Sequence, residues 1–307
     1  MPKTAFLFPG QGSQKPGMGR ELAENFATAR RIFEEADNVL GFAVSQLCFE
    51  GPEESLKLTE NTQPAILTCS IATLAVLREK GLEPGYVAGH SLGEYSAMVA
   101  AGALSFPDAL RLVRRRGRYM QEAVPDGLGA MAALMGLAPE KLDEVCQQAA
   151  GGEIVSPANL NSPGQVVIAG HRGAVERAVE VAKTAGARKA VLLHVSAPFH
   201  CALMQPAAER LAVDLDAVSI ADPKVPLINN VAAIEITTAE AAREGLKKQV
   251  VNAVRWEDSM RLLVGRGVDR FIEVGCGKVL TGLLRNIDRS LNGVHVEDLA
   301  TLEKLLA

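Results

Sequence analysis

The chain has 307 residues, of which 48% are hydrophobic and 22% are charged, and its formal net charge is −4. This length suffices for one large domain or two, and the charge lacks the basic excess of nucleic-acid-binding proteins. No apolar run approaches the ~18 residues of a membrane span. The five cysteines are scattered without a C-x-x-C pair, which favours reduced thiols in the cytoplasm over a disulfide framework or a zinc site.

The N-terminal segment is predicted to contain a strand, a glycine-rich turn and then mostly helices. Thr4–Phe8 is a short apolar run, typical of a buried strand. The turn Pro9-Gly10-Gln11-Gly12-Ser13-Gln14 follows, and helical patterns dominate from there to about Lys80. This turn lacks the third glycine of a dinucleotide-binding fingerprint and the Gly-Lys-Ser/Thr of a P-loop, so neither cofactor is indicated.

The segment Gly89-His90-Ser91-Leu92-Gly93 fits the Gly-x-Ser-x-Gly pattern of a strained turn between a strand and a helix. Residues 86–88 resemble a buried strand, and residues 94–101 have helix-forming content that ends at Gly102. Such a turn would place the serine hydroxyl at a helix N-terminus, where developing negative charge is stabilised. Ser91 is therefore the candidate nucleophile. The alternative is a serine in an ordinary glycine-flanked loop.

Residues 105–124 are predicted to form an amphipathic helix with one misplaced charge. Most arginines of this helix fall on its polar face, but Arg116 lies inside the apolar stripe. A guanidinium keeps its proton and is costly to bury without an anion. That anion could be an internal carboxylate, such as Glu273 or Glu94, or a substrate carboxylate held by two hydrogen bonds. The pattern alone favours neither.

The middle of the chain is predicted to form a separate unit. Strands are predicted at 129–135, 154–160, 165–169 and 189–195, and helices at 139–149 and 174–185. The order β-α-β-β-α-β is that of a ferredoxin-like unit. We therefore expect an α/β protein in which residues 125–197 form a small subdomain. It would be inserted into a larger parallel-sheet body of residues 1–124 and 198–307, with strands at 226–230 and 269–274 and a ligand cleft between the two parts.

A serine nucleophile needs a base within hydrogen-bond reach, normally a histidine. Among the five histidines, His90 precedes the serine and should point away from it. His171 lies at a strand end, His194 within a predicted strand and His295 near the C-terminus. His200 follows the last strand of the predicted small subdomain, where the chain re-enters the cleft. It is the best candidate for the base, and the alternative is a structural histidine.

Seven segments, spread over nearly the whole chain, carry a family resemblance: FPGQGSQ (8–14), TQPA (62–65), GHSLGEYSA (89–97), RGRYMQEA (116–123), NSPGQVVIAGH (161–171), the His200 segment and VGCGKVLTGL (274–283). In this order they resemble the bacterial malonyl-CoA:acyl carrier protein transacylases of type II fatty-acid synthesis. The fold of that family, a hydrolase-like body with a ferredoxin-like insert, agrees with the prediction above. Cys276 stands where the family more often has proline, and we expect a buried thiol there.

The resemblance implies roles for the matching positions. Ser91 would be acylated, His200 would be its base, and Arg116 would grip the malonyl carboxylate. The backbone N–H groups of Gln11 and Leu92 would form the oxyanion hole, which explains the glycines of the N-terminal turn.

Two further positions follow from the resemblance. Gln249 lies in the segment whose family counterpart orients the histidine through a backbone carbonyl, so a Ser–His dyad without an acid is expected. Phe199 resembles the bulky residue of malonyl-selective relatives.

The implied activity is ping-pong transfer of malonyl from a coenzyme A thioester to the phosphopantetheine thiol of acyl carrier protein. A cytoplasmic monomer is expected, with no metal or other cofactor. Three alternatives remain open. A stand-alone acyltransferase of a polyketide synthase would share every motif. A serine esterase would share only the elbow, the Gly-x-Ser-x-Gly turn of residues 89–93. A non-catalytic carrier-binding scaffold would be expected to have lost Ser91, His200 or Arg116.

Overall fold

Two β-sheets and their covering helices make up the computed structural model, which describes residues 3–193, 195 and 197–307. The strands are β1 (Thr4–Phe8), β2 (Tyr86–Gly89), β3 (Gly129–Met135), β4 (Val155–Ser162), β5 (Gln165–His171), β6 (Lys189–Leu192), β7 (Leu227–Ile228), β8 (Glu235–Ile236), β9 (Arg270–Val274) and β10 (Asn292–Val296). The helices are α1 (Arg20–Asn25), α2 (Ala27–Leu40), α3 (Val44–Glu50), α4 (Glu53–Lys57), α5 (Thr59–Glu79), α6 (Gly93–Ala100), α7 (Phe106–Glu122), α8 (Leu142–Ala150), α9 (Arg172–Thr184), α10 (Gln205–Ala217), α11 (Ala239–Gln249), α12 (Trp256–Gly265), α13 (Val279–Ile287) and α14 (Leu299–Leu306). In the part of the chain that is described, no helix is long and apolar enough to cross a membrane.

The large sheet has six strands in the order β10-β9-β1-β2-β7-β8, all parallel except β8. Its central strand β1 is buried from Ala5 to Phe8, as its continuous apolar sequence requires. The predicted α/β class is confirmed. The strand predicted at 226–230 is shorter than expected, because only Leu227–Ile228 pairs with β2 and β8. Strands β8 and β10 were not predicted.

The small sheet has four antiparallel strands in the order β4-β5-β3-β6. Numbered within this unit, the order is 2-3-1-4, which is the ferredoxin-like arrangement predicted from the sequence. Helices α8 and α9 pack on it around their own apolar core. The last strand ends at Leu192 rather than at residue 195, and His194, predicted within it, lies outside the described residues. The boundaries 125–197 remain a prediction.

Strand β4 connects the small sheet to the large body. The N–H of Leu160 donates to the carbonyl of Val254 at 2.9 Å, and the N–H of Val254 donates to that of Ala158 at 2.9 Å. These backbone bonds resemble one step of a parallel ladder, and Asn159 and Val254 form the corresponding bridge. The two sheets are therefore joined beside the cleft by ordered backbone and not only by the connecting segments.

The turn after β2 has the strained geometry that its glycines predict. Ser91 has φ of 52°, in the left-handed region that non-glycine residues rarely occupy. A Cβ added at Gly89 would lie 1.9 Å from the carbonyl of Gly93, and one added at Gly93 would lie 2.0 Å from the carbonyl oxygen of Phe8. The predicted requirement for two glycines is confirmed, because each sits against backbone that cannot move aside.

We expect Gly93→Ala to lower the free energy of unfolding by about 3 kcal/mol, because its methyl group would force α6 away from β1. Gly282→Ala is the matched control, since Gly282 is exposed within α13 and a Cβ there meets nothing within 4 Å. That change should stabilise the protein by roughly 0.5–1 kcal/mol through helix propensity. Urea denaturation followed by circular dichroism measures both. Equal stabilities for the two variants would contradict the packing described here.

Candidate active site

A cavity of about 390 Å³ opens at the carboxyl ends of β1 and β2, between the large and the small sheet. Ligands of open α/β sheets bind at this edge. The cavity is lined on one side by the N-terminal turn and the elbow, and on the other by strands of the small sheet. Residues predicted from the sequence that line it are Gln11, His90, Ser91, Phe199 and His200.

Ser91 and His200, which lie 109 positions apart, are in direct contact. The Oγ of Ser91 lies 2.7 Å from the Nε2 of His200, and the Nδ1 of His200 lies 2.9 Å from the backbone carbonyl of Gln249. A carbonyl oxygen only accepts, so Nδ1 must carry the ring proton of the neutral imidazole. The Nε2 lone pair is then left to accept the hydroxyl proton of Ser91. The described surroundings of Nδ1 thus place a neutral carbonyl where hydrolases place a carboxylate.

The environment of His200 keeps its ring neutral. Burial, and after it the positive charge of Arg116, together lower the pKa of His200 from 6.5 to about 3. Both causes disfavour the imidazolium form. A neutral ring at physiological pH is the form that can accept a proton.

Arg116 is the buried arginine that the helical pattern predicts, with 1% of its surface exposed. Its Nη1 donates to the side-chain oxygen of Gln63 at 2.8 Å. Its Nη2 donates to the side-chain oxygen of Gln249 at 2.9 Å and to the Oγ of Ser91 at 3.1 Å. All three acceptors are uncharged, so these hydrogen bonds solvate the guanidinium without neutralising it.

Neither carboxylate considered from the sequence forms an ion pair with Arg116 within the described residues. Glu273 accepts hydrogen bonds at 3.0 Å from the N–H of Leu280 and at 2.7 Å from that of Thr281, so it caps the start of α13. Glu94 is buried nearby, and its charge favours the protonated guanidinium, but it is hydrogen-bonded to Gln249 and not to Arg116. Neither of these two carboxylates is therefore the direct partner of the cation.

A close helix contact places Arg116 against its amide partner. A Cβ added at Gly117 would lie 2.6 Å from the backbone oxygen of Thr59, so only glycine lets α7 approach the start of α5 this closely. Pro64 lies in the same part of α5 and cannot bond to the carbonyl of Glu60. The Nη1 of Arg114 donates to that carbonyl at 2.8 Å.

Asn230 is a site residue that the sequence did not identify. Its side-chain oxygen accepts from the N–H of Ser91 at 2.7 Å, and its amide group donates to the carbonyl of Gly89 at 2.7 Å. These bonds hold both sides of the strained turn. The side chain of Gln249 completes the same network, because its Nε2 donates to the carbonyl of Ser91 at 2.9 Å.

Of the two candidate oxyanion-hole residues, Gln11 lies in the N-terminal turn and Leu92 lies in the elbow itself. Gln11 follows Gly10, which abuts the backbone of His90 so closely that a Cβ there would lie 2.4 Å from its carbonyl oxygen. Leu92 follows Ser91 directly and precedes α6. Neither backbone N–H donates a hydrogen bond to another residue of the described ranges.

The remaining side chains of interest line the cavity or are buried beside it. The Nε2 of His90 lies 2.9 Å from the side-chain oxygen of Asn161, so this ring faces the small sheet and does not bond to the serine. Phe199 is buried in the cavity wall. The thiols of Cys201 and Cys276 are buried too, and that of Cys276 lies 3.3 Å from the Oγ of Ser13. Where side chains are described, no group of three or more His, Cys, Asp or Glu residues is arranged to bind a metal.

Comparisons with known proteins show what this chain resembles over nearly its whole length. The family model for the acyl transferase domain matches residues 5–304. The malonyl CoA-acyl carrier protein transacylase of Bacillus subtilis is 52% identical over 304 residues, which cover 99% of this chain and 96% of that protein. The crystal structure of an acyl carrier protein S-malonyltransferase from Vibrio cholerae superposes with a TM-score of 0.97 at 48% identity and covers 99% of both chains. A malonyl-transacylase in complex with its type II PKS acyl-carrier protein gives the same score, identity and coverage.

The unusual state of His200 can be measured directly. We expect its imidazole to remain neutral down to about pH 5, and Arg116→Gln to raise its pKa toward 6.5 by removing a neighbouring cation. Histidine-labelled protein followed by NMR gives both values, with His200→Ala identifying the resonance. Arg115→Gln, at an exposed position of α7, should leave the titration unchanged.

The lowered pKa of His200 also makes the stability of the fold depend on pH. Because the folded-state pKa lies below the ordinary 6.5, the unfolded chain takes up this proton first, so His200 destabilises the fold as pH falls below 6.5. A resonance of His200 that titrates near pH 6.5 in the unmodified protein would contradict the proposed environment.

Proposed function

Because this chain belongs to the acyl transferase family, among the malonyl-CoA:acyl carrier protein transacylases, we propose that Ser91, His200 and Arg116 transfer malonyl from coenzyme A to acyl carrier protein. One observation carries the assignment of these residues. The Oγ of Ser91 is hydrogen-bonded both to the Nε2 of His200, at 2.7 Å, and to the Nη2 of Arg116, at 3.1 Å. A base and a cation without a direct ion-pair partner among the described residues therefore meet at one hydroxyl.

The first half-reaction acylates the serine. The Oγ of Ser91 attacks the thioester carbonyl of malonyl-CoA while the Nε2 of His200 takes its proton. The bond to sulfur then breaks, and the thiol of coenzyme A leaves with the proton held by His200. The carbonyl of Gln249 stabilises the transient imidazolium through Nδ1, without the full charge of a carboxylate.

Arg116 selects the acyl group by its position. In malonyl, a single methylene separates the thioester carbonyl from the free carboxylate, so a cation that binds this carboxylate must lie beside the nucleophile. The hydrogen bond between Arg116 and Ser91 meets that requirement. Two guanidinium N–H groups would bind the carboxylate with the geometry that arginine favours.

The N–H groups of Gln11 and Leu92 would stabilise the tetrahedral oxyanion. They flank Ser91 from the N-terminal turn and from the start of α6, on the side where the helix dipole also favours negative charge. A donor of this kind contributes roughly 3–4 kcal/mol to the transition state.

The second half-reaction reverses the first with a different thiol. The phosphopantetheine thiol of acyl carrier protein gives its proton to His200 and attacks the malonyl ester. The bond to Oγ breaks, and Ser91 recovers the proton. Over the cycle the malonyl group moves from one thiol to another and the proton returns to Ser91. The proposed mechanism therefore uses no redox or metal cofactor. Phe199 in the cavity wall would limit substituents on the methylene carbon.

The other assignments are inferences of the same kind. Acyl carrier protein as the partner is supported by the similar transacylase that was solved with its carrier protein. A cytoplasmic location is supported by five buried, unpaired cysteines. The comparisons do not favour an acyltransferase dedicated to a polyketide synthase. A serine esterase is disfavoured by Arg116, whose buried charge does not suit neutral esters.

Incubation with malonyl-CoA alone should give a covalent adduct that intact-protein mass spectrometry detects as one malonyl group on Ser91. Ser91→Ala should give none, because no other hydroxyl is hydrogen-bonded to His200 among the described residues. Ser105→Ala removes a serine outside the cavity and serves as the control. An adduct on another residue would refute the assignment, and rapid hydrolysis without an acceptor would indicate an esterase.

Arg116→Ala should lower kcat/KM for malonyl-CoA by about 100-fold, the equivalent of about 3 kcal/mol for lost bonds to a charged group. It should raise the relative acceptance of acetyl-CoA, which has no carboxylate. Arg115→Ala changes an exposed arginine of the same helix and should leave the preference intact. An unchanged malonyl-to-acetyl ratio in Arg116→Ala would contradict the role of the arginine.

A further inference from the structure

Glu94 is a buried carboxylate for which the reaction proposed above has no use. It lies in the first turn of α6, three positions after Ser91, and 1% of its surface is exposed. Its Oε2 accepts a hydrogen bond from the side-chain Nε2 of Gln249 at 2.7 Å and another from the N–H of Asn230 at 3.2 Å. Burying a carboxylate this deeply lowers the stability of the fold unless hydrogen bonds satisfy it. The groups that donate to Glu94 therefore indicate its role.

The side chain of Gln249 has one orientation that its surroundings allow. Its Nε2 faces acceptors only, namely the carbonyl of Ser91 and the side-chain oxygens of Glu94 and Asn230. Its Oε1 faces the Nη2 of Arg116. Turning the amide by 180° would set its oxygen against the carboxylate and its NH₂ group against the guanidinium, and both contacts would be repulsive. Glu94 is the acceptor with the shortest of these three bonds, at 2.7 Å, so it contributes most to this orientation.

Gln249 in turn contacts both partners of the serine. Its side-chain oxygen accepts from Arg116 at 2.9 Å, and its backbone oxygen accepts from the Nδ1 of His200 at 2.9 Å. The residue ends α11, which fixes its backbone independently of its side chain. Loss of the contact to Glu94 would therefore free the amide, and with it Arg116, more than it would disturb His200.

We propose that Glu94 is a positioning residue that fixes the amide of Gln249 and thereby aims the guanidinium of Arg116 at the carboxylate of the acyl group. This inference rests on the proposed function, since it concerns how that carboxylate is recognised. Glu94 forms no hydrogen bond with the Oγ of Ser91 or with His200 in the described structure, and the proposal gives it no part in proton transfer.

Three variants of Glu94 separate this role from a general contribution to folding. Glu94→Ala removes the acceptor, and Glu94→Asp keeps the charge but shortens the side chain, so that it withdraws from Gln249. Glu94→Gln keeps the length and an oxygen that can accept both bonds, but removes the charge. The readout is the ratio of kcat/KM for malonyl-CoA to that for acetyl-CoA, at a pH where wild-type Glu94 is ionised. Burial raises the pKa of this carboxyl to about 7, so pH 8.5 is suitable.

We expect the ratio to fall by about 10- to 100-fold in Glu94→Ala and Glu94→Asp, the range of a lost hydrogen bond to a charged group. In Glu94→Gln it should stay within about threefold of wild type, because a neutral acceptor retains most of that bond. Glu273→Gln is the matched control, a carboxylate that is equally buried but bonded to the start of α13. It should lower stability and leave the ratio unchanged.

Two results would overturn the proposal. Equal losses for malonyl and acetyl in every Glu94 variant would indicate a purely structural carboxylate. A normal ratio in Glu94→Asp with a lost ratio in Glu94→Gln would indicate that charge matters and position does not. Glu94→Asp and Glu94→Gln keep the conclusion testable if Glu94→Ala does not fold. A wild-type protein without any preference for malonyl would refute the proposed function itself, which is a different outcome.

Discussion

The central constraint in this structure is a permanent positive charge that is buried among neutral acceptors. The guanidinium of Arg116 is held by two glutamine side chains and by the hydroxyl of Ser91, with no carboxylate bound to it in the described residues. Amide oxygens offset much of the cost of burial, but they form no ion pair with the guanidinium. That charge would attract an anionic acyl group, and it helps to keep the ring of His200 neutral. The same charge would therefore contribute to the choice of acyl group and to keeping His200 in the neutral form that accepts a proton.

The backbone around Ser91 is held in a conformation that places the serine hydroxyl beside Arg116. Ser91 occupies a left-handed conformation, which is strained for any residue with a Cβ. The strain is maintained by bonds from Asn230 to both sides of the turn and by the close packing of Gly89 and Gly93. His200 has a similar conformation, with φ of 61°. Ser91 and His200, whose side chains are 2.7 Å apart, thus both have backbone conformations that an unconstrained chain would rarely adopt.

Local sequence patterns were enough to predict several parts of this arrangement. The elbow follows from five consecutive residues, and the burial of Arg116 follows from helical periodicity, because both signals are contained in one segment. The ferredoxin-like order of the small sheet was predicted from the alternation of elements. Asn230 and the side-chain role of Gln249 were not predicted, because they depend on the pairing of β2 with β7 and on the packing of α11. Glu94 was considered only as a partner for Arg116, and nothing in the sequence indicated that Gln249 would lie between them.

The walls of the cavity come from two different parts of the fold. The groups around the serine hydroxyl belong to the large body, whereas Met131 and Val167 line the opposite wall from strands of the small sheet. None of the hydrogen-bond partners described for Arg116 belongs to that wall. Tolerance of larger or smaller acyl chains could therefore evolve through this wall, while recognition of a carboxylate would stay tied to the groups around the serine hydroxyl.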